Sequence, residues 1–299
     1  MPVVLFDMYD TILVPTDGSE LAESAIDGAL ALAERHDAAV HVIHVIDLGE
    51  LPDDATSEAA AELSRGADQH MKSVVDAGDQ LGVTPTTTVV ESDRAVHREI
   101  VEYADDHDAD LIVMGTHGRK GIDQRVLGST TERTLRVSSV PVLTVHDGAV
   151  LGPDFETILV PTDGSDVANA AANHAISLAD GTDAAVHVVH AVDTAVTSTL
   201  DESAAVLAGL EDDGRAAVDA VIERADGAEL RSVQASVLSG TPARSILDYT
   251  DEYDVDLVVM GTHGRTGLER YLLGSVTEKV VRLADVPVLS VPGRLESDE

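Results

Sequence analysis

The stretch TILVPTDGS occupies Thr11–Ser19 and returns without a change at Thr157–Ser165, 146 positions later. An aliphatic run that ends in Pro, Asp and Gly is typical of a buried strand followed by a turn. Two further stretches recur at the same offset: GTHGR at Gly115–Arg119 and Gly261–Arg265, and VPVL at Val140–Leu143 and Val286–Leu289. Since no net insertion or deletion separates these landmarks, we expect both halves to share one fold.

The halves meet in HDGAVLGPDF, around His146–Phe155, where Gly and Pro indicate a short linker. We expect one domain over residues 1–150 and another over residues 151–299. In the first half, strands are predicted at Thr11–Pro15, Ala39–Ile46, Thr86–Val90, Asp110–Met114 and Pro141–Val145, and helices from Leu21 to Ala33 and at Ser57–Leu81, Val96–Asp106 and Thr130–Val137. This alternation predicts two tandem α/β domains, each a doubly wound five-stranded parallel sheet.

The 299-residue chain has a formal net charge of −36, from 55 acidic and 19 basic residues. Such a surface repels phosphate backbones, which argues against nucleic acid and anionic membranes as partners. The acids are spread along the chain, which we interpret as adaptation to a salt-rich cytoplasm, with an ordinary acidic protein as the alternative. The absence of Cys excludes disulfides, thiol catalysis and cysteine metal sites. The start MPVVLFDMYD lacks signal-peptide features, so we expect a cytoplasmic location.

Three features converge on the edge of the sheet where ligands of parallel α/β folds bind. Asp17 and its copy Asp163 directly follow the first strand of each half; the carboxylate either accepts hydrogen bonds from ribose hydroxyls or caps the next helix. After the fourth strand comes a loop with glycines at fixed spacing, which lets backbone N–H groups approach a phosphate. It contains Gly115, His117, Gly118, Arg119 and Gly128 in the first half, and Gly261, His263, Gly264, Arg265 and Gly274 in the second.

The third feature is the start of the last helix of each half. Ser129 with Glu132, and Ser275 with Glu278, fit the spacing of a capping box. A helix N-terminus offers free N–H groups and a positive dipole end, so it suits an anion; capping alone is the alternative. The glycine loop and the helix start together favour phosphate binding.

These motifs resemble the universal stress protein family, whose ATP-binding members carry G-x2-G-x9-G-[ST] and P-[TS]-D at these places. The resemblance covers essentially the whole chain. It implies an adenine nucleotide alpha hydrolase-like fold with strand order 3-2-1-4-5, and ATP (or AMP or ADP), with Mg²⁺ bridging its phosphates. It also implies an intrachain pseudo-dimer formed through the last strands, and two chains could associate further as a homodimer.

The resemblance also implies the site residues. In the second half they are Pro161, Thr162 and Asp163 beside the nucleoside, Ala191 with its backbone on adenine, Met260, Gly261, His263, Gly264 and Arg265 in the loop, and Gly274, Ser275, Val276 and Thr277 at the phosphates. In the first half they are Pro15, Thr16, Asp17, Val45, Met114, Gly115, His117, Gly118, Arg119, Gly128, Ser129, Thr130 and Thr131.

The two halves differ before their third helix. ATP-binding relatives have a G-x-P turn there, which the second half keeps as Gly240-Thr-Pro242, whereas the first half has Arg94 and Val96. We expect Arg94 to fill or reshape the pocket edge, so the second site is favoured. Three alternatives stay open for the first half: weaker binding, a different nucleotide, or a mainly structural role.

We do not expect an enzyme. A Walker A motif is absent, and His263 is read as a loop or phosphate contact rather than a general acid–base. His41, His44, His187 and His190 are interpreted as structural or partly exposed. Two alternatives stay open: a nucleotide-free interaction protein, and a slow nucleotide hydrolase that uses His263 and Asp163.

Overall fold

A computed structural model describes residues 8–50, 57–118, 126–149, 151–152, 154–180, 182–194, 203–264 and 273–293. The chain divides into two compact units, and the boundary falls between residues 153 and 154. Among the described residues, no helix is both long and apolar enough to cross a membrane.

The first domain alternates strands and helices throughout. Its elements are β1 (Thr11–Pro15), α1 (Glu20–His36), β2 (Ala39–Asp47), a 3₁₀ turn (Leu48–Glu50), α2 (Ser57–Leu81), β3 (Thr86–Ser92), α3 (Val96–Asp106), β4 (Leu111–Gly115), α4 (Ser129–Val137) and β5 (Val142–Val145). The second domain repeats this order as β6 (Thr157–Pro161), α5 (Asp166–Ala179), β7 (Ala185–Val192), α6 (Ser203–Arg224), β8 (Ser232–Ser239), α7 (Pro242–Glu252), β9 (Leu257–Gly261), α8 (Ser275–Leu283) and β10 (Val288–Val291).

Within each domain the strands are parallel. The first domain has the order β3-β2-β1-β4-β5, and the second has β8-β7-β6-β9-β10. This confirms the predicted α/β class and the order 3-2-1-4-5. Successive strands are added on one side of β1 up to β3 and on its other side from β4, so the strand order reverses between β1 and β4. In a doubly wound fold the ligand crevice opens at this point, beyond the carboxyl ends of these strands. In the first domain α1 packs against α2 and α3 against α4.

Aliphatic residues fill the cores, as the scarcity of aromatic residues requires. The three central residues of β1 and of β6 are completely buried. Helix α1 turns Ala25, Ala29 and Ala33 inward, each at most 1% exposed, so the helix lies close to the sheet.

An aspartate directly before the fourth strand of each domain holds the start of the central strand by hydrogen bonds. The carboxylate of Asp110 accepts hydrogen bonds from the N–H groups of Asp10 (2.8 Å) and Thr11 (2.9 Å). Asp256 does the same for Glu156 (2.9 Å) and Thr157 (2.8 Å). The strand that was predicted at Asp110–Met114 begins one residue later in the structure, at Leu111. These bonds satisfy backbone donors that the sheet leaves without partners.

Candidate functional site

The turn after β6 is held by its own side chains. The Thr162 N–H donates to the carbonyl of Val189 (2.8 Å), and the Gly164 N–H donates to the Thr162 hydroxyl (3.1 Å). Asp163 Oδ1 accepts from the Ser165 N–H at 3.0 Å. The cap of α5 is Ser165, whose hydroxyl accepts from the Ala168 N–H at 3.2 Å. The interpretation of Asp163 as the helix cap is therefore wrong, and Asp17 repeats this geometry beside its own cap, Ser19.

The glycine loop folds directly onto this aspartate. A Cβ on Gly264 would lie 2.3 Å from Asp163 Oδ2, and a Cβ on Gly118 would lie 2.2 Å from Asp17 Oδ2. Neither glycine has a positive φ. The requirement for glycine comes from the close approach of the carboxylate.

The last helix of each domain begins at a glycine. The N-cap of α8 is Gly274 (φ −62°, ψ 140°), with no side-chain cap, and the N-cap of α4 is Gly128. A Cβ on Gly274 would lie 3.2 Å from the Cα of His263, which leaves little room for a larger cap residue. Ser275 and Ser129 are the first residues inside the helices, so the predicted capping boxes are wrong.

The threonine in the first turn of each last helix ties that helix to the sheet. The Thr277 hydroxyl donates to the Gly261 carbonyl at 2.8 Å, and Thr131 donates to the Gly115 carbonyl at 2.8 Å. Both threonines are 3% exposed. Their hydroxyl protons are therefore used within the fold, and the first backbone N–H groups of each helix have no intrahelical acceptor.

In the second domain these segments enclose a cavity of about 250 Å³. Every site residue predicted for this half lines it except Arg265, which lies outside the described residues, as does Arg119 of the first half. The lining comprises Pro161, Thr162, Asp163, Ala168, Val189, His190, Ala191, Pro242, Ile246, Met260, Gly261, His263, Gly264, Gly274, Ser275, Val276 and Thr277. It combines one carboxylate, an apolar wall and the start of a helix.

His190 is a lining residue that sequence reasoning missed. Its Nδ1 lies 2.9 Å from the Thr162 carbonyl, and because a carbonyl only accepts, Nδ1 carries a proton. A Cβ on Gly214 of α6 would lie 2.6 Å from the imidazole, so the ring packs flush against that helix. The sequence did contain one signal for His190: it lies three residues after His187 in the same strand, so the two rings must lie on opposite faces of β7.

His187 and its copy His41 have the structural role that was predicted. His187 Nδ1 lies 3.2 Å from the Tyr249 hydroxyl, and His41 Nδ1 lies 3.2 Å from the Tyr103 hydroxyl. Burial lowers the pKa of His187; burial and then the neighbouring His107 lower the pKa of His41. Burial also raises the pKa of Tyr249. Among the described residues, no three His, Asp or Glu side chains are grouped to hold a metal ion.

Comparison with known proteins gives the family. The profile of the universal stress protein family matches residues 8–146 and 154–292. The chain belongs to this family. It is 32% identical to a universal stress protein of Mycolicibacterium smegmatis, over 95% of this chain and 97% of that protein. It is also 39% identical to a universal stress protein of Methanocaldococcus jannaschii, over 46% of this chain and 82% of that protein.

Solved structures show the same fold. A universal stress protein from Archaeoglobus fulgidus superposes with a TM-score of 0.72 at 24% identity, covering 98% of this chain and all of that one. The protein is thus a tandem universal stress protein, a stress-response protein with two α/β domains.

The first universal stress domain brings together the matching segments. Pro15 ends β1 before Thr16 and Asp17, Val45 lies in β2, and Met114 and Gly115 end β4. His117 has its Nδ1 3.3 Å from the Thr116 hydroxyl, as His263 has at 3.2 Å from Thr262. Gly128 precedes α4, which begins with Ser129, Thr130 and Thr131.

The turn before the third helix differs between the domains. Gly240 has φ 140°, whereas Arg94 has no positive φ, and its N–H donates to the Ser92 hydroxyl at 3.0 Å. The Arg94 guanidinium pairs with Glu102 and, at 3.3 Å, with Glu99 of α3. Of the two expected effects, the structure shows a reshaped turn, and the Arg94 side chain is held along α3 instead of filling the pocket edge.

Proposed function

We propose that the second domain binds an adenine nucleotide, ATP first, and that the protein acts as a nucleotide-dependent regulatory or interaction module. The observation that supports this most strongly is the cavity itself. It brings the Asp163 carboxylate, the Gly264 backbone and the start of α8 around one space of about 250 Å³. That volume approaches the lower end of the range for small-molecule sites, roughly 300–1,000 Å³.

The apolar part of the cavity suits an adenine ring. Pro161, Val189, Ile246 and Met260 are buried and supply aliphatic and thioether surface. Ala191, at the end of β7, presents backbone groups that can hydrogen-bond the edge of the base. Specificity for adenine then comes from the backbone, as small-molecule sites with few polar groups require.

The polar part suits ribose and phosphates. Asp163 is held by Ser165 through Oδ1, and its carboxylate can also accept from the ribose hydroxyls. The first N–H groups of α8 have no intrahelical acceptors, and Gly274 contributes no side-chain cap, so they suit phosphate oxygens. Gly264 and Ser275 line the space between these two parts.

Mg²⁺ would accompany the nucleotide through its phosphates. The described residues contain no group of three His, Asp or Glu side chains for the ion, so phosphate oxygens and water would supply its ligands. His263 contacts the Thr262 hydroxyl at 3.2 Å, which supports a role in positioning the loop. Nucleotide binding beside His263 would shift the surface offered to a protein partner.

The test compares ATP with 2′,3′-dideoxy-ATP by calorimetry in molar salt with Mg²⁺. Wild type should bind ATP more tightly, and Asp163→Asn should lose that preference while it binds the dideoxy analogue as wild type does. Asp17→Asn, the matching change in the first domain, is the control and should keep the preference. A folded wild type that binds neither compound would reject the proposal and favour a nucleotide-free interaction protein. Steady release of phosphate, lost in His263→Ala, would instead favour the hydrolase.

A further inference from the structure

Helices α2 and α6 occupy the same place in their domains, but their buried positions match with a shift of one residue relative to the strands. The buried residues Ala67, Met71 and Val74 correspond to Gly214, Val218 and Val221, each 147 positions later, whereas the strands correspond at 146. His70 therefore has Ala217 as its structural counterpart. The landmark repeats alone would pair His70 with Ala216, which is exposed.

His70 reaches from α2 to the end of β1 and to α1. Its Nε2 lies 3.3 Å from the Thr16 hydroxyl, and its Nδ1 lies 3.2 Å from the Glu23 carboxylate. Its ring also meets the ring of His44 edge to face, with centroids 6.5 Å apart. The side chain is only 17% exposed, so these contacts hold it inside the domain.

Two of the three residues that His70 contacts correspond to lining residues of the second-domain cavity, and the third corresponds to a neighbour of one. Thr16 and His44 correspond to Thr162 and His190, which both line that cavity. Glu23 corresponds to Asn169, which follows the lining residue Ala168. In the second domain the counterpart of His70 ends at a Cβ and the counterpart of Glu23 is neutral, so no imidazole–carboxylate bridge forms there.

We propose that His70 closes the first-domain site to adenine nucleotide, so that the chain binds one nucleotide, in its second domain. This inference rests on the proposed function. The described ends of the glycine loops are alike, since Gly118 and Gly264 contact their aspartates in the same way and both last helices begin at a glycine cap. Besides the turn before the third helix, where the Arg94 side chain is held along α3, the bridge from α2 to β1 and α1 distinguishes the two sites.

The experiment measures the number of ATP molecules bound per full-length chain, by calorimetry in molar salt with Mg²⁺. Wild type should bind one and His70→Ala two, and the added site should disappear when Gly118→Val is combined with His70→Ala. The reciprocal change, Ala217→His with Asn169→Glu, should reduce binding from one to none. Its control, Ala217→Ser with Asn169→Glu, adds the carboxylate without the ring and should still bind one.

The number of bound nucleotides tests the role of His70 and the proposed function separately. Two nucleotides on wild type, or one on both wild type and His70→Ala, would overturn the role of His70 and leave the proposed function intact. No nucleotide on wild type would reject the proposed function; His70 would then keep its role only if His70→Ala gained a site, and no gain would overturn both. Melting curves of the same variants identify any that fail to fold.

Discussion

Gly264→Ala offers a sharp test of how the loop and the aspartate work together. The new Cβ would lie 2.3 Å from Asp163 Oδ2, about 1 Å inside an ordinary contact, so the carboxylate must move. Gly264 has no positive φ, so Ala brings no backbone strain, and the side chain of Asp163 can rotate away. Moving it breaks the 3.0 Å bond from Ser165, which costs roughly 1.5–3 kcal/mol for a charged acceptor.

The same displacement removes the carboxylate from the ribose. A loss of about 1.5–3 kcal/mol in binding corresponds to an ATP affinity roughly 10- to 150-fold weaker, which calorimetry measures directly. Gly118→Ala is the matched control, because its Cβ would lie 2.2 Å from Asp17 Oδ2. Both variants should lose similar stability in urea, but only Gly264→Ala should lose affinity. Unchanged ATP affinity in Gly264→Ala, alongside a loss of stability, would refute the assignment of Asp163 to the nucleotide.

Four further outcomes follow from the fold. Thr277→Val should lower the free energy of unfolding by about 1–2 kcal/mol, because it leaves the Gly261 carbonyl without its hydroxyl partner. Ser275→Ala, at an exposed position, is the control and should change it little. Equal losses of stability in urea would contradict a stabilising role for the Thr277 hydrogen bond. Asp256→Asn should cost roughly 1–3 kcal/mol, since its carboxylate accepts from two backbone N–H groups; an unchanged urea midpoint would argue against this anchor. Burial lowers the pKa of His174 from 6.5 to about 4. As the pH falls, the unfolded chain therefore binds a proton at this histidine at a higher pH than the folded chain does. The free energy of unfolding should fall by up to about 3 kcal/mol as the pH drops from about 6.5 to 4. His174→Gln should flatten that pH profile, and a profile identical to wild type would assign it to other groups. Finally, a net charge of −36 should make the melting temperature fall sharply on desalting, and a constant transition would end the salt-adapted interpretation.

Much of the fold follows from local sequence. The repeated TILVPTDGS places the central strand of each domain, and hydrophobic spacing places every neighbouring strand, including β3. The helix starts were less accessible, because Ser275 fits a capping box by spacing alone. At the cap position of Gly274, His263 and Thr262, more than ten residues earlier, leave little room for a side chain.

The site was predictable where it lies on motifs and not where it depends on packing between distant segments. His190 and Ile246 enter the cavity from elements whose sequences carry no ligand signature. The one-residue shift of α6 against α2 is invisible in the landmark repeats, and it hides the correspondence between His70 and Ala217. The cytoplasmic location, the absence of nucleic-acid partners, the pseudo-dimer and further association of chains stay predictions.

The identity of β1 and β6 has a consequence for how the protein reaches its native state. Both strands read TILVP, and each lies between two parallel neighbours in the middle of its sheet. During synthesis β1 and the other strands of the first domain leave the ribosome before β6 does, so β1 can pair before its copy is present. A chain that refolds from denaturant has both strands available at once, and either can enter either sheet in the correct register. The order of synthesis therefore favours the native strand pairing, which the identical sequences of β1 and β6 do not by themselves specify.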